Sequence, residues 1–140
     1  MDPALPPIDR EKIVPFLLKI YLDFGRHHPF RSYTIDRTPP ESHELQLYTW
    51  RDATLRELVQ LVQEAIPEAQ TGDAHLSFRL IYMDTDTGFF KGKDLAVLHA
   101  FESSQDDNKT LHECRFLIGD YLDIAVHDGP PRYDAPRRYR

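Results

Sequence analysis

The sequence lacks the features that mark an extracellular or membrane-spanning protein. It has a single cysteine, Cys114, so no disulfide can form within the chain, which is typical of a reducing compartment. No apolar run approaches the roughly 18 residues that cross a bilayer. The N-terminus has neither the basic start nor the apolar stretch of a secretory signal. We therefore expect a soluble, intracellular protein with no membrane partner.

Basic side chains are scarce relative to acidic ones. Seventeen Lys and Arg residues stand against 23 Asp and Glu residues, a formal net charge of −6. A surface of that sign repels the phosphate backbone of nucleic acids. Residues 129–140 are the exception, because they carry four arginines and two tyrosines. Direct RNA binding through this tail stays open as an alternative to a solubilising tail.

Common catalytic and cofactor-binding motifs are missing as well. No glycine-rich phosphate loop follows a predicted strand, and nothing beside Cys114 and His112 supplies the third, orienting group of a thiol nucleophile. Residues 84–88 resemble a calcium loop, but Leu95 occupies the position that needs a glutamate. We therefore expect a protein without enzymatic activity or cofactor, and a hairpin turn at residues 84–88.

The seven histidines show no spacing typical of metal ligands. His27 and His28 are adjacent, so on extended backbone they point in opposite directions and do not easily share an ion. The sequence predicts surface or loop histidines and no metal site. The remaining histidines are His43, His75, His99, His112 and His127.

The apolar pattern predicts five strands and one helix. Thr54 and Glu57 form a capping box, apolar residues follow at helical spacing, and Pro67 ends the helix. A polar segment at residues 23–41 is a long loop, a kind of segment that is usually functional or disordered in a compact domain. The predicted strands cover residues 16–22, 44–50, 75–83, 95–98 and 121–126.

This order of elements predicts an α+β fold with a mixed sheet packed on one main helix. The first and last strands then lie side by side and parallel in the middle, as in a β-grasp. We divide the chain into an extended lead-in at residues 1–12, a domain at 13–128 and a disordered basic tail at 129–140.

Aromatic residues on otherwise polar segments are the candidate binding residues. Tyr48 and Trp50 lie on the same face of the second strand, and a sheet with a helix on one side leaves its other face open to a partner. The alternative is that the long loops fold back over them. Phe89 and Phe90, in a loop, and Phe30 raise the same question.

Several blocks of sequence together resemble one known family, the eighteen-kilodalton Sin-three-associated polypeptides. The blocks follow the family's order and extend over nearly all of residues 7–126, which makes the combination far more specific than any one of them. They are residues 7–12 (PIDREK), 25–28 (GRHH), 44–50 (ELQLYTW), 52–55 (DATL), 67–69 (PEA) and 116–125 (FLIGDYLDIA).

The resemblance implies an α+β, ubiquitin-like β-grasp fold with enlarged loops, and a nuclear adaptor of the Sin-three histone deacetylase corepressor. It also implies membership of the apoptosis- and splicing-associated complex. The family there binds a short motif of acinus, or of pinin in a sister complex, together with the RNA-recognition domain of a serine-rich splicing activator. That complex attaches to the exon junction complex, so contact with RNA is expected only indirectly.

Within the matching blocks, Arg26, His27 and His28 join Tyr48 and Trp50 as the expected partner contacts. The segment at residues 87–107 differs from the family, and the acidic, lysine-rich leader of animal members is not expected. A ubiquitin-like modifier is the other alternative. It needs a C-terminal diglycine, whereas the only late glycine here is Gly129, followed by two prolines.

Overall fold

A computed structural model describes residues 7–128, which form one five-stranded sheet and one α-helix. The predicted tail at 129–140 and the first half of the predicted lead-in lie outside the described residues. Three short 3-10 helices occupy Phe30–Ser32, Glu41–His43 and Pro67–Gln70. The regular elements are β1 (Phe16–Phe24), β2 (Glu44–Thr49), α1 (Leu55–Ala65), β3 (His75–Met83), β4 (Phe90–His99) and β5 (Tyr121–His127).

The strands lie in the order β2-β1-β5-β3-β4. β1 and β5 are parallel neighbours at the centre, while β1–β2, β3–β4 and β3–β5 pair antiparallel. The predicted α+β, ubiquitin-like β-grasp is therefore confirmed, including its parallel central pair. β2 and β4 are the two edge strands.

The start of α1 confirms half of the predicted capping box. The Thr54 hydroxyl oxygen accepts a hydrogen bond from the Glu57 amide at 3.1 Å. The Glu57 carboxylate instead accepts from the Arg10 guanidinium, 2.9 Å away. α1 ends at Ala65, and Pro67 opens a 3-10 helix. Within residues 7–128, no helix is long and apolar enough to cross a bilayer.

The core lies between α1 and one face of the sheet, here called the inner face. α1 buries Leu55, Leu58, Val59 and Val62 there, because these residues recur at helical spacing. Cys114 is buried in the same core, and burial raises the pKa of its thiol. The strands contribute Leu18, Ile20, Leu22, Leu76, Phe78, Leu80, Leu98, Leu122, Ile124 and Val126.

The fourth strand is longer than predicted. β4 pairs with β3 along its length, whereas the sequence predicts only a short strand at residues 95–98. Exposed lysines on this edge strand, and a register shift opposite Phe78 and Arg79, break the period-two pattern. The turn before it is confirmed, because the Gly88 amide donates to the Asp84 carbonyl at 2.8 Å.

Candidate partner-binding surface

A long loop covers part of the second face of the sheet, here called the outer face. This cover loop, residues 25–43, begins where Gly25 adopts a φ of +78°, a conformation that glycine takes without strain. The Gly25 amide donates to the Val126 carbonyl at 2.8 Å, so the chain leaves β1 close to the end of β5. Asp23 and Phe24 of the predicted loop at residues 23–41 belong to β1, and the rest of that loop is folded against the sheet.

A buried carboxylate on β5 fastens the cover loop. Asp123 has no exposed surface, and its oxygens face the loop. His27 Nδ1 lies 2.7 Å from one oxygen, while the Tyr33 hydroxyl at 2.6 Å and the His28 amide at 3.2 Å donate to the other. A carboxylate without water requires such partners, since an unpaired buried charge is costly.

Aromatic rings surround this node. Tyr33 of the loop stacks on Tyr121 of β5 with ring centroids 5.8 Å apart, and Phe90 stacks on the same ring at 5.9 Å. Burial, and then the negative charge of Asp123, raise the pKa of Tyr33 far above its ordinary value, which keeps the hydroxyl a donor. The sequence predicts Phe90 in a loop, which is wrong. Phe90 begins β4 and is half-buried in this cluster.

Only part of the block at residues 25–28, which matches the family, is exposed to solvent. His28 is buried, and its Nε2 lies 2.9 Å from the Leu22 carbonyl oxygen, while His27 is held by Asp123. Arg26 is different, because its side chain is 80% exposed and pairs with Asp23 at 3.1 Å. The His27 side chain is 16% exposed, so Arg26 is the most accessible of the three predicted loop contacts.

Trp50 holds the lead-in. Its indole Nε1 donates to the Ile13 carbonyl at 2.7 Å, and the Arg10 guanidinium lies 4.8 Å from the ring centroid. Arg10 also pairs with Asp52 at 2.8 Å and Glu57 at 2.9 Å. The lead-in therefore lies over Trp50, which differs from the expected alternative, a covering by one of the long loops.

Tyr48 is open to solvent at the edge of the sheet. It is 67% exposed on the outer face of β2, directly opposite Leu17 of β1, which is also exposed. The alternation predicted for this strand is confirmed, because Thr49 on the inner face is buried. No backbone hydrogen bond joins the free edge of β2 to another segment of residues 7–128. We call this edge, with Leu17 and Tyr48, the edge patch.

The predicted contacts do not form one continuous surface. Phe89 is 72% exposed at the tip of the β3–β4 hairpin, beside an edge strand. Tyr48 lies on β2, the edge strand on the other side of the sheet. Any single peptide along β2 therefore does not contact both residues.

Known proteins similar to this chain fall in one family. The profile of the family described as Sin3 associated polypeptide p18 (SAP18) matches residues 7–126. The Mus musculus histone deacetylase complex subunit SAP18 is 40% identical over 137 residues, 95% of this chain and 88% of the relative. The Drosophila melanogaster subunit is 39% identical over 95% of this chain and 86% of its own length. The chain belongs to the SAP18 family.

The relationship extends beyond animals, because the Arabidopsis thaliana subunit is 39% identical over 89% of this chain and 82% of its own length. The SAP18 match at residues 7–126 includes the cover loop, the edge patch and nearly all of β5. The resemblance seen in the sequence blocks is thereby confirmed.

Sequence reasoning missed the residues that organise the outer face of this SAP18-family fold. Asp123 is a single charge between Leu122 and Ile124, in a strand that is otherwise buried, and that interruption is the signal that was available. Tyr33 carries no comparable signal. Its importance follows from where the cover loop folds, which periodicity does not encode.

Proposed function

We propose that the chain is a non-enzymatic adaptor subunit of a Sin3-type histone deacetylase complex in the nucleus. Relatives from animals and a plant, similar over most of their length, are named histone deacetylase complex subunits, which supports this assignment. Cys114, the one nucleophile considered in the sequence, is buried with a raised thiol pKa, which suits a structural role.

The adaptor binds an extended peptide at the edge patch. The observation that carries this step is the exposed Leu17–Tyr48 pair beside the unpaired edge of β2. An edge strand offers free amide and carbonyl groups to an added strand, and side-chain pockets supply specificity. An aromatic ring next to such an edge is a suitable anchor for one apolar side chain of the peptide.

The net charge of the domain indicates which kinds of residue the peptide should contain. Four of the 17 basic and two of the 23 acidic residues lie outside residues 7–128, so the described part has a formal charge of −8. Such a surface favours an apolar residue flanked by basic ones. We propose the short motif of an acinus- or pinin-type protein as this peptide.

A second partner would bind at the opposite edge of the sheet, beside β4. Phe89 is exposed there, at the end of the sheet where β5 begins, whereas Arg26 projects from the cover loop at the other end, where β1 and β5 end. We propose that an RNA-recognition domain of a serine-rich splicing activator binds on this side, so that RNA and the exon junction complex are reached through the partner. The adaptor would thus connect splicing with Sin3 corepression.

Calorimetry with a synthetic acinus or pinin motif peptide tests the edge patch. Tyr48→Ala is expected to weaken binding by about 1–2 kcal/mol, roughly 5- to 30-fold, as for a moderate hot spot. Phe101→Ala is the matched control, because Phe101 is 61% exposed and not part of the patch. The control should bind like the wild type. Equal affinity of the Tyr48 variant and the wild type would remove the edge patch from the site.

Complex membership needs a separate measurement. The chain, purified by affinity from nuclear extract, is expected to carry deacetylase activity and a Sin3-type protein identified by mass spectrometry. Peptide binding without any deacetylase activity would contradict the corepressor assignment alone. Deacetylase activity that survives in Tyr48→Ala would show that the two associations use different surfaces.

A further inference from the structure

Three side chains able to bind a metal converge where the cover loop meets β1. Asp23 belongs to β1, His28 to the loop, and His43 to the 3-10 helix that leads into β2. One ligand atom from each lies within 4.8 Å of the others. The residues are far apart in sequence, so their spacing did not reveal the group.

The distance between the two imidazoles fits a shared ion better than a direct bond. His43 Nδ1 lies 3.4 Å from His28 Nε2, with the rings tilted by 42°. Hydrogen bonds from N–H groups to oxygen are usually shorter, at about 2.9–3.0 Å. Two nitrogens bound to tetrahedral zinc, each at about 2.0–2.1 Å, are separated by roughly 3.3–3.4 Å.

Other contacts hold two of these groups in place. The His28 amide donates to Asp123 at 3.2 Å, which fixes the loop, and His28 is buried. The Phe24 amide donates to Asp23 Oδ1 at 2.8 Å. A carboxylate oxygen that accepts one hydrogen bond keeps a second lone pair for a cation. The site is therefore partly organised before any ion binds.

The carboxylate has the charge that a cation requires. The Asp23 oxygens accept hydrogen bonds from the Phe24 amide at 2.8 Å and from Arg26 Nε at 3.1 Å, and such bonds favour the ionised carboxylate. Two imidazoles and one carboxylate form a donor set suited to zinc and its first-row neighbours, whereas magnesium and calcium prefer oxygen alone.

We propose that Asp23, His28 and His43 bind one divalent transition-metal ion, with zinc as the natural candidate and water completing the coordination. His28 Nε2 would exchange its contact with the Leu22 carbonyl, at 2.9 Å, for the ion, and its proton would move to Nδ1. Binding of the ion therefore competes with this hydrogen bond. A bound ion joins the cover loop to β1 and to the start of β2.

Titration of the untagged, chelator-treated chain with Zn²⁺ in a calorimeter tests the site. We expect one ion per chain, and a parallel Co²⁺ titration should give the visible absorption of a four- or five-coordinate ion. His43→Ala and Asp23→Asn should each weaken Zn²⁺ binding at least about 10-fold, since even the loss of an outer-shell partner has that effect. Circular dichroism checks that both variants remain folded.

His75→Gln is the matched control, because His75 and His99 form another close pair of imidazoles, with centroids 4.9 Å apart. This variant should bind Zn²⁺ like the wild type. The proposal is overturned if the wild type shows no saturable binding, or if His43→Ala binds equally well. Loss of binding in His75→Gln with retention in His43→Ala would move the ion to the other pair and overturn it too.

Discussion

The two faces of the sheet are covered in different ways. On the inner face, α1 packs apolar side chains against apolar side chains of the strands, and at its first turn Arg56 pairs with the buried Asp107 at 2.9 Å. On the outer face, the cover loop is fastened to Asp123 by two side chains and one amide. The inner face is stabilised by buried area, which tolerates change of shape, and the outer face by a few directional bonds.

Truncation on the inner face is expected to have the largest effect. Phe78 is almost fully buried, so Phe78→Ala should lower the free energy of unfolding by about 3–5 kcal/mol. Phe89→Ala, at an exposed position, should change it by less than about 0.5 kcal/mol. Urea denaturation measures both. A small loss of stability in Phe78→Ala would mean that packing on the inner face is not the main source of the stability of the fold.

Removal of one hydroxyl on the outer face should cause the second-largest loss of stability. Tyr33→Phe deletes the 2.6 Å bond to a buried carboxylate, a loss of about 1.5–3 kcal/mol. Tyr48→Phe, with an exposed ring, is the control and should be neutral. Hydrogen exchange should show lost protection in the cover loop. Uniform loss across both faces would contradict a separate outer-face covering.

The same bond gives a pH dependence of defined sign. The folded pKa of Tyr33 is raised above the unfolded value of about 10, so its stabilisation is present below that pH and is lost as pH rises further. The wild type should therefore lose stability above about pH 10 more steeply than Tyr33→Phe does. Parallel slopes in alkaline urea denaturation would count against the buried hydroxyl–carboxylate pair.

The lead-in should contribute less than either face. Arg10→Ala removes two ion pairs whose side chains are about one third exposed, together with the contact to Trp50. Solvent screening limits their sum to about 1 kcal/mol. Trp50 fluorescence reports directly on this contact, and an emission spectrum unchanged by the substitution would show that Arg10 does not cover the ring.

The smallest effect is a gain on the inner face. The Thr49 hydroxyl is buried without a hydrogen-bond partner, so Thr49→Val should raise the free energy of unfolding by about 0.5–1 kcal/mol. Thermal denaturation measures it. A loss of more than about 1 kcal/mol would show that the hydroxyl has a partner and that the inner face includes a polar contact.

The contrast between the faces also explains what could be predicted. Periodicity located α1, whose buried residues recur at helical spacing, and β2, whose exposure alternates. It also located β5, where Leu122, Ile124 and Val126 recur at every second position, although both faces of this strand are buried. It failed on β4, whose outward lysines and irregular register hide the strand. It could not place the cover loop, because bonds such as Tyr33 to Asp123 join residues 90 positions apart.

The candidate binding residues also differ in whether the sequence predicts their exposure. Exposure of Tyr48 follows from strand alternation and was predictable. The covering of Trp50 by Arg10 and the burial of His28 depend on loop and lead-in geometry, which local sequence does not specify. The sequence blocks that identify the family therefore contain both partner-accessible residues and residues that hold the fold together.

The proposed adaptor binds an extended peptide along the free edge of β2. The most direct test is an amide chemical-shift titration of the ¹⁵N-labelled chain with the acinus or pinin motif peptide. We expect the largest shifts at Glu44–Thr49 and Leu17, with Tyr48→Ala reducing them. Saturable shifts confined to α1 or β4, or none at millimolar peptide, would contradict it.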